Sequence, residues 1–204
     1  MNSATTRTPS SGLGRWLLIY AIAYCIGAAL DLWTTILATN SGIAEGNVYT
    51  LQNGAYVALR ALGINVAGLI VMLALWGSGI ARAASVAPRW LAHPFASLEK
   101  LYFNPFTRAV ADRAPLHLVA WAAGFVVFRV LAAINNAMLI AGLPGPIGWT
   151  IFALAPSIGQ TASFILVVAI WYIALMVLCS PLAAAVIRRR RRELGIVETK
   201  EKVV

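Results

Sequence analysis

The chain has 204 residues, 60% of them hydrophobic and only 11% charged, where soluble domains run at about 45–50% apolar and about 25% charged. That excludes a water-soluble globule, a disordered chain, and collagen-like or disulfide-framework proteins, and leaves an all-α integral membrane protein. The net charge of +9, from sixteen Lys and Arg against seven Asp and Glu, then reads as membrane orientation and attraction to anionic lipid headgroups. It does not read as a nucleic-acid footprint.

Residues 1–13 are rich in Ser, Thr, Gly and Pro, a composition that predicts a disordered tail. An apolar stretch over about 15–38 follows Arg7 and Arg15. It is long enough to cross the roughly 30 Å hydrocarbon core, and it contains Asp31. Both features mark a retained helix and not a cleavable signal. A polar loop carrying Glu45, Asn47, Tyr49 and Gln52 leads to a second span over about 55–81, where Gly63, Gly68, Gly77 and Gly79 permit close helix contact.

The connection over about 82–114 holds Arg82, Arg89, Lys100, Arg108 and Arg113. Its Phe95, Leu98, Leu101, Tyr102 and Phe106 recur at near-helical spacing, which predicts an amphipathic helix in the headgroup plane. A third span is expected over about 115–142 and a fourth over about 149–180. The tight turn from Leu143 to Gly148 between them makes these two antiparallel neighbours. Arg188 to Arg192 then read as a stop-transfer anchor opening a basic cytoplasmic tail, 188–204. The two outer connections contain no Lys or Arg, so the positive-inside rule places both termini in the cytoplasm.

The expected architecture is a four-transmembrane-helix bundle, N-in and C-in, in the cell membrane, with the bacterial inner membrane the expected location. Trp16, Trp33, Trp90 and Trp149 fall near the expected interfaces, as in an aromatic belt. Cys25 and Cys179 lie at different depths and read as space-filling residues.

A charge inside a spanning helix is expensive and marks a site by default. Asp31, Arg60 and Arg129 are such charges, and Asn135, Asn136 and Gln160 lie at overlapping depths from the midplane outward. On the first helix Tyr20, Tyr24, Gly27, Asp31, Thr34 and Thr35 form one stripe at three- and four-residue spacing, and on the third Arg129, Ala132, Ala133 and Asn136 share a face. On the fourth, Ser157, Gln160 and Thr161 follow Pro156, where a kink is expected. These groups converge on an outward-facing polar zone. It reads as a charge-neutralising structural network, as a site for a polar or anionic ligand with Arg60 or Arg129 as partner, or as a proton or ion relay through Asp31.

The run Asp31-Leu32-Trp33-Thr34-Thr35, followed by Gly42, Glu45, Gly46 and Asn47, resembles the D-x-x-x-T and G-x-x-E-x-N-P signature of an uncharacterised family of small bacterial and archaeal membrane proteins. Val48 stands where that family usually has proline. The family has no assigned activity. The resemblance implies that Asp31, Thr35, Glu45 and Asn47 act together, and an Asp just below the surface can accept from a loop backbone and Thr hydroxyls to clasp the loop.

Walker, dinucleotide, C-x-x-C, H-E-x-x-H and serine-nucleophile motifs are absent from the sequence. His93, His117, Glu99 and Asp112 lack the spacing of a metal site. No catalytic residue, metal or cofactor is therefore assigned. The candidate ligand-binding set is Asp31, Thr35, Glu45, Asn47, Arg60, Arg129, Asn135, Asn136 and Gln160. The expected function is that of a non-catalytic accessory or assembly subunit whose polar zone is structural or holds a lipid headgroup or anion. The alternatives are a small transporter or channel component using Asp31, Arg60 and Arg129, and an embedded enzyme acting on a lipid or isoprenoid. Expected partners are the bilayer, anionic lipids among it, and either a second copy of the chain or a membrane complex.

Overall fold

A computed structural model describes residues 12–41, 56–98 and 112–196, with side chains described except at 56–60 and 98. The described residues contain no strand. In chain order the helices are α1 (Leu13–Asn40), α2 (Tyr56–Ala81), α3 (Pro88–Ala92), α4 (Ala114–Ile140), α5 (Pro146–Ile158), α6 (Gln160–Leu178) and α7 (Ser180–Glu193). Single 3₁₀ turns at Ala83–Ser85 and Ala96–Leu98 flank α3. Four segments, Leu13–Asn40, Ala61–Ala81, Ala114–Ile140 and Gln160–Leu178, are long and apolar enough to cross a membrane, so this is a helical, multi-pass membrane protein.

The side chains of α1 show why such a helix belongs in lipid. Trp16, Tyr20, Tyr24, Gly27, Asp31, Thr35 and Ala38 are buried, each three or four residues after the last. Leu18, Ile22, Ile26, Leu30 and Trp33 between them are exposed. Both acidic and hydroxyl groups thus point inward and most branched aliphatics outward, the reverse of a helix on a water-soluble core.

The expected fourth span is two helices. Pro156 lies inside α5, where it has no N–H to give the preceding turn. Three residues later Gly159 adopts φ +84° and ψ 155°, a conformation open essentially to glycine alone. The chain therefore breaks outright at Gly159 where the sequence suggested only a kink. The Gly159 carbonyl then accepts from both the backbone N–H and the hydroxyl of Ser163, at 3.0 and 2.7 Å. A second break follows at Cys179, where Pro181 sits in the first turn of α7.

The described chain forms two compact units, one from residues up to Tyr20, Leu73–Ala123 and Met176 onward, the other from Ala21–Met72 and Gly124–Leu175. In the first, Tyr20 stacks on Trp76 with centroids 4.9 Å apart. The Tyr20 hydroxyl donates to the Ala122 carbonyl at 2.9 Å, and the Trp76 indole donates to the Trp16 carbonyl at 3.0 Å. α2 and α4 approach through Gly79, where an added Cβ would lie 2.6 Å from Val119 Cγ2 and 2.8 Å from the Pro115 carbonyl. Only a residue without a side chain fits there.

The arginine run is helical, and Arg190 and Arg191 within it are buried while Arg189 and Arg192 are exposed. α7 buries Ala183, Ala184, Ile187, Arg190 and Arg191 on one face. Arg188 donates to the Leu91 carbonyl at 2.8 Å, and Arg191 donates to the carbonyls of Ala84 and Val86 at 3.2 and 2.7 Å. The irregular 83–91 segment leaves carbonyls that no regular helix satisfies, and guanidinium groups can reach several at once. Arg190 to Arg192 in the last turn also complement the negative end of the helix dipole.

Trp16 and Trp90, read as belt residues, are tied into the fold. Trp16 donates to Glu193 Oε2 and Trp90 to Asp112 Oδ2, both at 2.9 Å. Trp33 and Trp149 are 65% and 64% exposed, as a belt would have them. Cys25 is exposed and Cys179 buried, and both are free thiols. Of the expected interfacial helix, Phe95 stands exposed in the turn before Ala96. Leu101, Tyr102 and Phe106 lie outside the described residues, and Leu98 is described in backbone only.

Burial tends to raise the Glu193 carboxyl, but hydrogen bonds from Trp16 and Arg190 and the charges of Arg190 and Arg15 outweigh it and hold the group below its ordinary value. Glu193 is thus more acidic folded than unfolded, so its contribution is complete at neutral pH and disappears as pH falls through the depressed folded value. Hydrogen exchange in α7 should therefore accelerate below the ordinary glutamate range, and Glu193→Gln should exchange at the accelerated rate already at neutral pH. An unchanged α7 in both experiments would contradict this role for Glu193.

Candidate functional site: a polar network on three membrane helices

The second unit holds the charges that the sequence places inside the membrane. Asp31 and Arg129 are 7% and 8% exposed, and they form a direct ion pair, Arg129 Nη1 donating to Asp31 Oδ2. The other terminal nitrogen, Nη2, donates to Asn65 Oδ1 at 2.8 Å. One guanidinium therefore links α1, α2 and α4 inside this unit. Its planar fork suits it to two acceptors at once, which a lysine ammonium would not match in the same geometry.

Packing around the pair is close. Gly27, one turn before Asp31, faces Arg129, and an added Cβ there would lie 3.2 Å from Arg129 Cβ and 3.4 Å from the Val126 carbonyl. The Arg129 guanidinium carbon lies 5.2 Å from the Phe125 ring centroid, within the range of a cation–π contact. Phe125 in turn stacks on Tyr24 at 5.9 Å and meets Tyr172 edge-on at 5.6 Å. The Tyr24 hydroxyl donates to the Asn65 carbonyl at 2.9 Å. An aromatic shell thus flanks the ion pair, and low local polarity strengthens the attraction within it.

A second tier of polar groups follows on α1 and α4. Asn136 donates to Thr35 Oγ1 at 3.2 Å, and Thr35 is 3% exposed. Asn135 turns the other way: its Oδ1 accepts from the backbone N–H groups of both Ile147 and Gly148 at 3.0 Å. These are donors of the first turn of α5, where a helix lacks internal acceptors. The N-cap residue Gly145 has no side chain with which to cap them. Asn135 performs that task from α4, and an added Cβ on Gly145 would collide with the Asn135 amide.

The nine sequence-derived positions therefore divide. Asp31 and Arg129 are brought together, and Thr35 pairs with Asn136. Asn135 has its oxygen committed to the α4–α5 turn. Gln160 is exposed at the start of α6 and, among the described residues, has no hydrogen bond to the Arg129 network. Arg60 lies on α2 with its side chain outside the described set, and Glu45 and Asn47 lie outside it altogether. The loop clasp by Asp31 accordingly concerns residues not described. Of the threonine hydroxyls, Thr34 donates to the Leu30 and Asp31 carbonyls of its own helix.

Asn65 belongs to the network although the pattern of charges does not point to it. It is the only carboxamide residue in α2, and its five-residue displacement from Arg60 concealed it behind the charge. An isolated Asn in an apolar span is itself a signal. Tyr24, Phe125 and Tyr172 complete the shell, and their pairing depends on contacts across helices that spacing along one helix does not encode.

The chain matches no family model, no curated protein and no solved structure.

Proposed function

We propose that this protein is a non-catalytic membrane accessory or assembly subunit, and that its intramembrane polar zone is architecture that fixes helix packing. The observation that carries this reading is the engagement of Arg129 by both Asp31 and Asn65. An anion-binding arginine offers its charge and its fork to the ligand, whereas this guanidinium is neutralised by a carboxylate and held by a second acceptor. Asn135 and Asn136 are likewise joined to protein groups, which argues against their polarising a lipid or isoprenoid substrate.

In this reading both termini face the cytoplasm, the chain resides in the cell membrane, with the bacterial inner membrane the proposed location, and its partner is a second copy or another membrane subunit. The D-x-x-x-T resemblance enters it through Asp31 and Thr35, each of which anchors α1 to a polar residue of α4. Reconstitution tests the proposal. Wild-type protein in liposomes bearing a proton or chloride gradient is expected to conduct no more than protein-free liposomes. Flux above that background, abolished by Asp31→Asn at undiminished folded yield, would replace the reading with transport.

A further inference from the structure

The first unit contains a depression of about 700 Å³ between the 91–96 segment and α7. Leu91, His93, Phe95, Pro181 and Arg188 are among its lining residues. Its size falls in the range of small-molecule sites, roughly 300–1,000 Å³. We propose that it binds the headgroup of an anionic phospholipid, a site separate from the Asp31–Arg129 network and independent of the function assigned to that network.

Three observations converge on this occupant. The first is charge. Arg188 is held in the pocket wall by one hydrogen bond to the Leu91 carbonyl, and a guanidinium carries five N–H donors in a fork that matches phosphate. His93 beside it is exposed. The acids described nearby are already committed: Asp112 pairs with Arg89, and Glu193 pairs with Arg190.

The second observation is depth along the chain. The apolar span of α6 ends at Leu178, and Pro181, three residues later, lines the pocket. A span of this length and hydropathy would end where hydrocarbon gives way to phosphate. The third is exposed apolar surface at the pocket and next to Pro181 in the chain. Leu178 and Leu182, one helical turn apart in number, are 66% and 52% exposed, and Phe95 in the pocket wall is 52% exposed. Apolar side chains beside a cation suit acyl chains below a phosphodiester, whereas a free anion would gain nothing from them.

The test is native mass spectrometry of the full chain in mild detergent, with phosphatidylglycerol or phosphatidylcholine added. Wild type should retain phosphatidylglycerol over phosphatidylcholine, and R188Q and F95E should each lose about fivefold or more of that retention, the effect of one charge near a membrane surface. Phe95 is half exposed, so F95E tests the pocket even where R188Q disturbs the Leu91 contact. Arg192 is exposed one helical turn beyond Arg188 and is not among the lining residues, and R192Q should retain the lipid fully. Equal retention of the two lipids, an unaffected F95E, or equal losses in R192Q and R188Q would overturn the proposal. Displacement of the lipid by excess inorganic phosphate would assign the pocket to the free anion and overturn it as well.

Discussion

Arg129→Ala is expected to cost about 3–5 kcal/mol of folding stability, the range for removing one partner of a buried ion pair. The measurable result is a sharp fall in the yield of folded protein in detergent and in its thermal midpoint. The loss has two sources. Asp31, 7% exposed, would keep a carboxylate with its opposing charge gone, and Asn65 would lose the donor now 2.8 Å from its oxygen. Arg129→Lys should recover only part of the loss, because an ammonium on a flexible stem does not supply the same two-pronged geometry. Wild-type stability in Arg129→Ala would mean that the pair contributes nothing to the fold.

The second large effect is expected at the other unit. Arg191→Ala removes the donor shared by the Ala84 and Val86 carbonyls and deletes a side chain that is 6% exposed. Hydrogen bonds to a charged group are worth about 1.5–3 kcal/mol each, so a loss of about 3–6 kcal/mol is expected for the two, confined to the docking of α7. Limited proteolysis checks it: cleavage within Arg188–Arg192 should be slow in wild type and at least tenfold faster in the variant. Arg192→Ala, at an exposed position of the same run, should leave protection unchanged. Equal cleavage of all three proteins would show that α7 is not held by Arg191.

These two sites also mark how far the sequence could be read. Four spans were legible because length and hydropathy are local properties, and three of them agree with α1, α2 and α4 to within two residues at each end. The stripe on α1 was legible because helical periodicity places Tyr20, Tyr24, Gly27, Asp31 and Thr35 on one face whatever their neighbours are. In the fourth span the kink at Pro156 was legible and the outright break at Gly159 was not. An apolar run conceals a break, and Gly159 signals one only when its backbone is seen at φ +84°.

The packing of the arginine run was not legible for a different reason. Positive charge next to a span ordinarily lies in water or among headgroups, and nothing local says that Ala84, Val86 and Leu91 offer carbonyls to it. Asp31 with Arg129 could be anticipated from charge and depth. Asn65 as the third member, and Asn135 as the cap of α5, depend on which helices are neighbours and at what register. A single sequence does not contain that information in its spacing.

The central claim, that Asp31 and Arg129 act as one structural unit, is tested most directly by a double-mutant cycle of Asp31→Ala and Arg129→Ala, read as thermal unfolding of the purified protein in detergent. Residues in contact couple by about 0.5–3 kcal/mol, and each single variant leaves the opposite charge buried. The double variant is therefore expected to lose about 0.5–3 kcal/mol less than the sum of the two single losses. Strictly additive losses would contradict the account, because they would mean that each charge serves something other than its partner.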